Sequence, residues 1–390
     1  MARNITTGID IGTYQVKIVV SERGKDKDRQ FPRIIGTGFA ESKGLRHGYI
    51  INSGDIIKSI RHAVEQAEKS SQTRIKRAYL SIGGVGLEEI RSKGEVIITR
   101  ADGSVTDLDL KKAFDNSEEK IASRIANRKV IHLIPLKFKI DGGTVLGRPI
   151  GMHGSRLEVE TLFITCLEQH LNDLIQAVEE AGIEVDDVMA SPIAASLVTL
   201  SKTQKMAGCV LANIGSETVS MAVFEDNIPI SLKVFPIGST DITNDIALGL
   251  KVSLEEAEQI KKGAITSTEY PKKKLDEIIV ARLSDIFELI DNHLKKIGKN
   301  GLLPAGIIIT GGGSGIATIE DLAKAALKLP SKLATPRFGD QSKVRDASWA
   351  VAYGLTIWGL TADEDESPVG IALAQKTGNR VLQLLKQFLP

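Results

Sequence analysis

The segment Gly8 to Thr13 (GIDIGT) lies between two apolar stretches and decides how the start of the chain folds. We predict a buried strand, a glycine turn and a second strand between Thr6 and Val20, because apolar runs joined by glycine are typical of paired strands. In such a hairpin, backbone N–H groups can face a polyphosphate. Asp10 then suits the hydration shell of Mg²⁺, and Lys17 suits phosphate charge. Taken alone, the segment equally fits an ordinary glycine hairpin.

Two later segments repeat this pattern. Asn213 to Thr218 (NIGSET) again separates two apolar stretches, and Gly311 to Ser314 (GGGS) follows a third. Their order and spacing resemble those of the actin, sugar-kinase and heat-shock-chaperone superfamily. The resemblance implies an α/β, actin-like two-domain fold with an ATP cleft between its halves. The candidate nucleotide-binding residues in the three segments are Asp10, Gly12, Thr13, Tyr14, Lys17, Gly215, Ser216, Glu217, Thr218, Gly311, Gly312, Gly313 and Ser314.

The composition is that of an ordinary globular protein. Its 390 residues predict two or three domains, and 42% apolar content is enough to bury a core. The 50 Lys and Arg against 49 Asp and Glu argue against a dedicated nucleic-acid binder. Apolar runs stay below the ~20 residues of a membrane span, and the N-terminal residues show no signal-peptide pattern. Cys166 and Cys209 lie in apolar surroundings, which favours core thiols in a cytoplasmic protein.

Within the superfamily, the chain resembles the FtsA family of bacterial cell-division actin homologues along essentially its whole length. Ser42 to Ile50 (SKGLRHGYI) is similar to the family's SKGLRxGxI segment. Ile134 to Phe138 and Arg148 to Leu157 resemble the end of the insertion specific to FtsA, the 1C subdomain. Pro236 to Ala247 resembles a G-x-x-x-T-x-D-I-A stretch. In the similar helix Ala257 to Lys261, the resemblance implies that Glu258 and Lys261 flank the ribose and base of the nucleotide.

The resemblance also implies a division into subdomains. We expect the insertion to be a strand–helix–strand–strand unit, with its first strand at 95–99 and its helix at about 108–125. The predicted boundaries are 1–83 and 165–200 for domain 1A, 84–164 for the inserted 1C subdomain, 201–224 and 305–361 for domain 2A, 225–304 for domain 2B, 362–378 for an acidic linker and 379–390 for an amphipathic helix.

Four positions depart from the family pattern. Asn213 stands where an aspartate usually helps to order Mg²⁺, and Ser191 stands where the superfamily often has an acidic residue before a proline. Ser216 and Glu217 stand where glycines are usual, and the charge of Glu217 is unfavourable near phosphates unless a cation lies between them. We therefore expect Mg-ATP binding, with Asp10 and more weakly Asn213 at the metal, but weak or absent hydrolysis. Compensation by other groups stays an alternative.

The C-terminal residues have the pattern of an amphipathic helix. A helix of eleven residues is marginal in water, so it needs a surface to fold against. Residues 375–390 carry three cationic and no acidic side chains, which suits an anionic membrane. The FtsA resemblance also implies a membrane-targeting helix here, although a helix docked on the protein body fits the pattern too. The apolar face consists of Val381, Leu382, Leu384, Leu385, Phe388 and Leu389.

The resemblance implies a cell-division protein that binds ATP, polymerises as an actin-like filament and tethers FtsZ filaments to the cytoplasmic side of the inner membrane. Its partners would be the FtsZ C-terminal tail, further copies of itself, an anionic membrane surface and other division proteins, but no nucleic acid. The FtsZ tail is expected on domain 2B, at the helix with Arg282, Asp285 and Lys295. Those charges equally fit a solvated helix face.

Other functions of the same fold stay open at this point. A small-molecule kinase would need a general-base aspartate in the cleft, and no motif marks one. An actin-like adaptor of pilus assembly shares the D-I-G-[TS] opening, but the SKGL segment and the insertion favour FtsA. A chaperone is disfavoured because no peptide-binding domain follows the second half.

Overall fold

The computed structural model describes residues 5–23, 31–264, 269–338 and 346–362. These residues form sixteen strands and ten α-helices. The strands are β1 (Ile5–Ile11), β2 (Gln15–Glu22), β3 (Arg33–Glu41), β4 (Leu45–Arg46), β5 (Tyr49–Ile50), β6 (Arg77–Ile82), β7 (Glu88–Ile97), β8 (Arg128–Ile140), β9 (Gly143–Val145), β10 (Arg156–Leu167), β11 (Glu184–Ala190), β12 (Cys209–Ile214), β13 (Val219–Glu225), β14 (Ile228–Phe235), β15 (Ile307–Thr310) and β16 (Ser331–Leu333). The helices are α1 (Ser53–Ser71), α2 (Asp107–Glu119), α3 (Glu168–Glu180), α4 (Ser191–Thr199), α5 (Lys202–Ala207), α6 (Ser239–Leu250), α7 (Leu254–Lys261), α8 (Lys272–Lys296), α9 (Ile319–Leu327) and α10 (Ala350–Ala362).

Two five-stranded sheets share one topology. In the first, β1, β2 and β3 form an antiparallel meander, β6 runs parallel to β1, and β11 runs parallel to β6. In the second, β12, β13 and β14 form the meander, with β15 parallel to β12 and β16 parallel to β15. Parallel pairs need crossovers, which the helices supply. The repetition confirms the predicted actin-like α/β fold with two related halves.

A third sheet, in the order β7-β10-β8-β9, belongs to the insertion between β6 and α3. The predicted strand at 95–99 is the end of the longer β7, which starts at Glu88, and the hairpin strand β9 was not predicted. The predicted helix at about 108–125 is wrong at its end: α2 stops at Glu119, and Ala122–Arg124 form a 3-10 turn. The change of pitch allows Ile121 to be buried in the core of the insertion.

The cores follow from the buried faces of these elements. One apolar core fills the first half and continues onto one face of the second sheet, a second fills the rest of the second half, and a third lies in the insertion around Phe114, Phe138 and Phe163. Cys166 and Cys209 are buried free thiols, and burial raises the pKa of each to about 12. The prediction that both cysteines are core thiols is confirmed.

Helix α10 brings the end of the described chain back onto the first sheet. Helix α10 begins directly after a 3-10 turn, Ala347–Trp349. Its small residues allow close packing, since a Cβ on Gly354 would lie 1.9 Å from the carbonyl oxygen of Ala194 in α4. Among the described helices none is both long and apolar enough to cross a membrane. The predicted amphipathic helix at 379–390 lies outside the described residues, as does the linker beyond Ala362.

Candidate nucleotide-binding site

The first hairpin, β1–β2, sets a carboxylate beside an ammonium group. Asp10 and Lys17 are direct cross-strand partners, and the turn is closed by a bond from Gly12 N to Gln15 O of 3.1 Å. Ser81, at the end of the neighbouring β6, donates from Oγ to Asp10 Oδ1 at 2.7 Å. Burial raises the pKa of Asp10, and the Ser81 bond and the charge of Lys17 oppose that rise only in part. The hairpin therefore holds a desolvated carboxylate in place.

Lys17 is positioned by the 3-10 turn that precedes α10. Its Nζ donates to the carbonyl oxygen of Ser348 at 3.3 Å and lies 5.8 Å from the centre of the Trp349 ring. Burial lowers the pKa of Lys17, against the opposing charges of Asp10 and Asp346. A partly desolvated ammonium held in this way is a strong partner for a phosphate oxygen.

The second hairpin, β12–β13, repeats the first in register. Asn213 pairs with Ser220 as Asp10 pairs with Lys17, and Gly215 N donates to Thr218 O at 2.8 Å. The turn is fixed to α6, because the carbonyls of Gly215 and Ser216 accept from the first backbone N–H groups of that helix at 2.9 and 2.8 Å. The equivalent positions thus carry an amide and a hydroxyl in place of opposite charges.

The glycine loop packs directly on the second hairpin. Gly311 has φ +94°, and a Cβ there would lie 2.3 Å from Asn213 Oδ1 and 2.5 Å from the carbonyl oxygen of Ile214. Only glycine fits this backbone, because φ is in the left-handed range and the space is filled. Ser314 Oγ donates to Gly311 O at 2.7 Å and holds the loop closed. The predicted loop from Gly311 to Ser314 is therefore next to Asn213.

Helix α7 brings the predicted Glu258 and Lys261 together. Glu258 Oε2 accepts from Thr243 Oγ1 and from Lys261 Nζ, each at 2.6 Å. Lys261 Nζ also donates to Ser239 O at 3.1 Å, at the start of α6. Burial disfavours the charged form of Glu258, but the bonds from Lys261 and Thr243 outweigh it and lower the pKa of the carboxyl. Both side chains therefore lie beside α6, the helix that supports the second hairpin.

The two halves meet across this group of residues. Lys262, the residue after α7, places Nζ 5.9 Å from the centre of the Tyr14 ring on the first hairpin, and its ammonium also pairs with Glu258 at 3.1 Å. The Glu217 carboxylate accepts a hydrogen bond from His47 N on the first half. The end of α7 and the turn of the second hairpin therefore both contact the first half.

Some predicted residues have other surroundings. Ser191 is buried and its Oγ donates to Ile82 O at 2.9 Å, so its hydroxyl supports the end of β6. Glu217 turns its side chain towards His47.

The three residues predicted to bind a partner lie on α8, in the second half. Arg282 forms a two-bond ion pair with Asp245 of α6, at 2.7 and 3.1 Å. It also reaches Asp285 at 3.4 Å, while Lys295 pairs with Asp291 at 2.6 Å. Asp285 and Lys295 keep 58% of their side chains exposed, whereas Arg282 joins two helices.

The sequence analysis missed several supporting residues. Ser81 and Thr243 hold Asp10 and Glu258, and Trp349 and the Ser348 carbonyl hold Lys17. Ser81 offers a signal, because it ends the strand parallel to the first hairpin. Nothing local marks Ser348, which lies 331 positions from Lys17.

The residues at the first hairpin fit a magnesium ion that is bound together with phosphate. Mg²⁺ keeps several waters and takes one or two carboxylates plus phosphate oxygens. Asp10 presents a carboxylate whose Oδ1 is fixed by Ser81. In the described parts of the chain, no three His, Cys, Asp or Glu side chains cluster as metal ligands. A single oriented carboxylate matches an ion held largely by water and phosphate.

Comparison with solved structures shows the fold. The structure of a PilM–PilN type IV pilus biogenesis complex superposes with a TM-score of 0.68 at 16% identity, covering 91% of this chain and 98% of that one. MreB5 of Spiroplasma citri bound to ADP gives a TM-score of 0.52 at 14% identity, covering 93% and 99%. Both likenesses support an actin-like architecture.

Sequence comparison identifies the family. The family model "Cell division protein FtsA" matches residues 210–354, and the model "SHS2 domain inserted in FTSA" matches residues 84–165. Cell division protein FtsA of Bacillus subtilis is 30% identical over 368 residues, which cover 89% of this chain and 81% of that protein. FtsA of Pseudomonas aeruginosa is 28% identical, with 98% and 96% covered. With this coverage in both directions and the inserted domain present, the chain belongs to the FtsA family of cell-division proteins.

Proposed function

We propose that the chain binds Mg-ATP in its cleft, polymerises as an actin-like filament and tethers FtsZ filaments to the cytoplasmic face of the membrane. The observation that carries the nucleotide part is the half-buried Asp10–Lys17 pair on the first hairpin and the Glu258–Lys261 pair on the second half, whose neighbour Lys262 reaches Tyr14 of the first hairpin turn. Removing a charge from water costs free energy unless an opposite charge lies close to it. Pairs that each combine an anionic and a cationic group suit a ligand that carries both anionic phosphates and a metal cation. Nucleotide-bound MreB5 structures of the same fold support the ligand class.

Each group has a defined task in this proposal. Backbone N–H groups of the two hairpin turns and Lys17 would hold the phosphates, and Asp10 would hold the magnesium ion through its water. Glu258 and Lys261 would flank the ribose and base, and the loop from Gly311 to Ser314 would contact the nucleotide. When bound, Mg²⁺ neutralises phosphate charge.

We propose that hydrolysis is slow or absent. Accepting a proton from an attacking water calls for a carboxylate directed at that water. Asn213 is neutral and adjoins Gly311, and the hydroxyl of Ser191 is bonded to Ile82 O. The cleft therefore supports binding better than turnover, so nucleotide would act as a structural ligand of the filament subunit.

The nucleotide part is tested by titration calorimetry of the full chain with Mg-ATP, with Mg-GTP as the comparison ligand. We expect one site per chain and a preference for ATP. Absence of heat and of thermal stabilisation by ATP would overturn the assignment, because a ligand that binds only the folded state must raise its melting temperature.

The FtsZ part rests on α8, whose side chains Asp285 and Lys295 are more than half exposed. Fluorescence anisotropy with a labelled FtsZ C-terminal tail peptide tests it. Lys295→Glu should weaken binding about tenfold, whereas Lys324→Glu on α9, an exposed lysine outside α8, should leave it unchanged. Equal effects of the two variants would remove the specific role of α8.

The membrane part rests on the amphipathic pattern of residues 379–390. Leu385→Glu places a charge within the apolar face and should abolish co-sedimentation with vesicles rich in phosphatidylglycerol. The melting temperature should stay unchanged. A helix docked on the protein body predicts the opposite pair of results.

A further inference from the structure

Glu217 links the two halves of the molecule at the back of the cleft. Its carboxylate accepts the backbone N–H of His47, in the loop between β4 and β5. The His47 ring returns to the same residue, with Nδ1 as donor 3.3 Å from the carbonyl oxygen of Glu217. We call these two contacts the Glu217–His47 clasp. They join residues 170 positions apart, one from each half.

The His47 end of the clasp is rigidly supported. The carbonyl of His47 accepts from Val85 N at 3.3 Å, after β6. A Cβ on Gly48 would lie 2.5 Å from Gly84 Cα, so the two glycine backbones are in direct contact. Movement of this loop would therefore move the end of β6, which carries Ser81 and, through it, Asp10.

The Glu217 end is equally fixed. The carbonyls on the two preceding residues are bonded to the start of α6, and a Cβ on Gly238 would lie 2.2 Å from Ser216 O. The turn cannot shift unless α6 shifts with it. Because each end is anchored in its own half, the clasp is a contact between the halves that adds to the apolar core they share.

The direction of the Glu217 side chain also resolves an electrostatic conflict. A carboxylate in the phosphate turn would repel the nucleotide, as its charge in the sequence suggests. Bonded to an N–H of the other half, the charge is instead used in a charge-assisted hydrogen bond, which is stronger than a neutral one. The carboxylate of Glu217 would repel the nucleotide if it pointed at the phosphates, but it stabilises the contact between the halves when it points at His47.

We propose that Glu217 is a positioning residue whose clasp with His47 holds the halves closed over the nucleotide and slows nucleotide release. The proposal rests on the ATP site proposed above and adds the group that retains the ligand. A nucleotide enclosed between the halves can leave only when they separate, so a contact that holds them together should lower the dissociation rate.

Stopped-flow release of a fluorescent ATP analogue from the full chain tests this. Glu217→Ala should raise the dissociation rate about tenfold, which corresponds to 1.4 kcal/mol, with little change in the association rate. Glu217→Gln keeps an acceptor for His47 N–H and should raise it only about threefold. Glu225→Ala is the matched control, because it also removes a carboxylate from the second hairpin. The partner of Glu225 is Lys299, which belongs to the same half, so this variant breaks no contact between the halves.

A second measurement does not depend on nucleotide. Hydrogen exchange of nucleotide-free protein should show faster exchange in the peptide 43–50 for Glu217→Ala, with the Gln variant between it and the unaltered chain. Tighter ATP binding by Glu217→Ala, or unchanged release and unchanged exchange, would overturn the clasp. If the exchange effect occurs but the unaltered chain binds no ATP, the clasp stands and the proposed ATP site fails.

Discussion

The first and second hairpins have the same register and different chemistry at equivalent positions. In the first, Asp10 faces Lys17 across the hairpin and takes a bond from Ser81 on the parallel strand. In the second, Asn213 faces Ser220 and has Thr310 as its parallel neighbour. The backbone frame is repeated, whereas the charges occur only in the first half.

The comparison indicates that the side chains of a repeated hairpin can change while its backbone geometry is kept. Backbone N–H groups presented by a tight turn are independent of side chains, so both hairpins retain them. A buried charge is kept only where a ligand or partner compensates for its desolvation. The second hairpin has no charge at the equivalent strand positions and places its acidic turn residue, Glu217, against the other half. Under the proposed function, side chains of the first hairpin would bind phosphate and metal, whereas the second hairpin would contribute only backbone N–H groups.

The largest expected effect comes from removing the charge of the first hairpin. Asp10→Asn keeps the shape and an acceptor for Ser81 but loses the carboxylate that orients magnesium-bound water. We expect ATP affinity to fall at least a hundredfold, about 2.7 kcal/mol, in calorimetry with Mg²⁺. Asp226→Asn, an exposed aspartate in the second half, is the control. Retained affinity in Asp10→Asn would break the contrast between the hairpins.

The next effect concerns the loop that supports the second hairpin. Gly311→Ala forces a Cβ to within 2.3 Å of Asn213 Oδ1 at φ +94°. The free energy of unfolding should fall by about 2 kcal/mol, measured by urea denaturation. Gly312→Ala is the matched control, since a Cβ there meets nothing within 4 Å. If both variants are equally stable, the second hairpin does not depend on this loop.

A carboxylate added at position 213 should make the second hairpin chemically more similar to the first. Asn213→Asp restores the carboxylate that the family usually has at this position, and we expect single-turnover phosphate release to rise about tenfold, or 1.4 kcal/mol in the barrier. Asn213→Ala controls for loss of the amide. A rate that is unchanged, or raised equally by both substitutions, would mean that the missing charge does not limit hydrolysis.

The smallest effect is the pH dependence of the nucleotide-free protein. Burial raises the pKa of Asp10 above its unfolded value, so its contribution is fully present below the unfolded pKa and is lost as pH rises through the folded pKa. At pH 7, Asp10→Asn without nucleotide should therefore melt about 2 °C higher than the unaltered chain. The difference should vanish as pH falls below about 4, where both side chains are neutral. A less stable variant at pH 7 would show that Lys17 and Ser81 compensate fully for burial.

Local sequence was enough to predict much of the fold. The two hairpins, the glycine loop and a helix ending at Lys261 occur where the sequence indicated them. These features depend on neighbouring residues: glycine permits the turns, and apolar alternation favours the strands. The predicted end of α2 was wrong and strand β9 was not predicted, because the packing of the insertion decides both.

The sequence by itself determined the order of the elements, the repeated turns and the charge difference between Asp10 and Asn213, because each is carried by residue types within a few positions. Only the tertiary structure decided that Ser348 holds Lys17 and that Glu217 turns to His47, residues separated by 331 and 170 positions. Side-chain direction depends on what the rest of the chain places nearby, and that information is absent from any local segment. For this reason Glu217 carries a charge that the sequence alone assigns to the phosphates and the folded protein assigns to the contact between its halves.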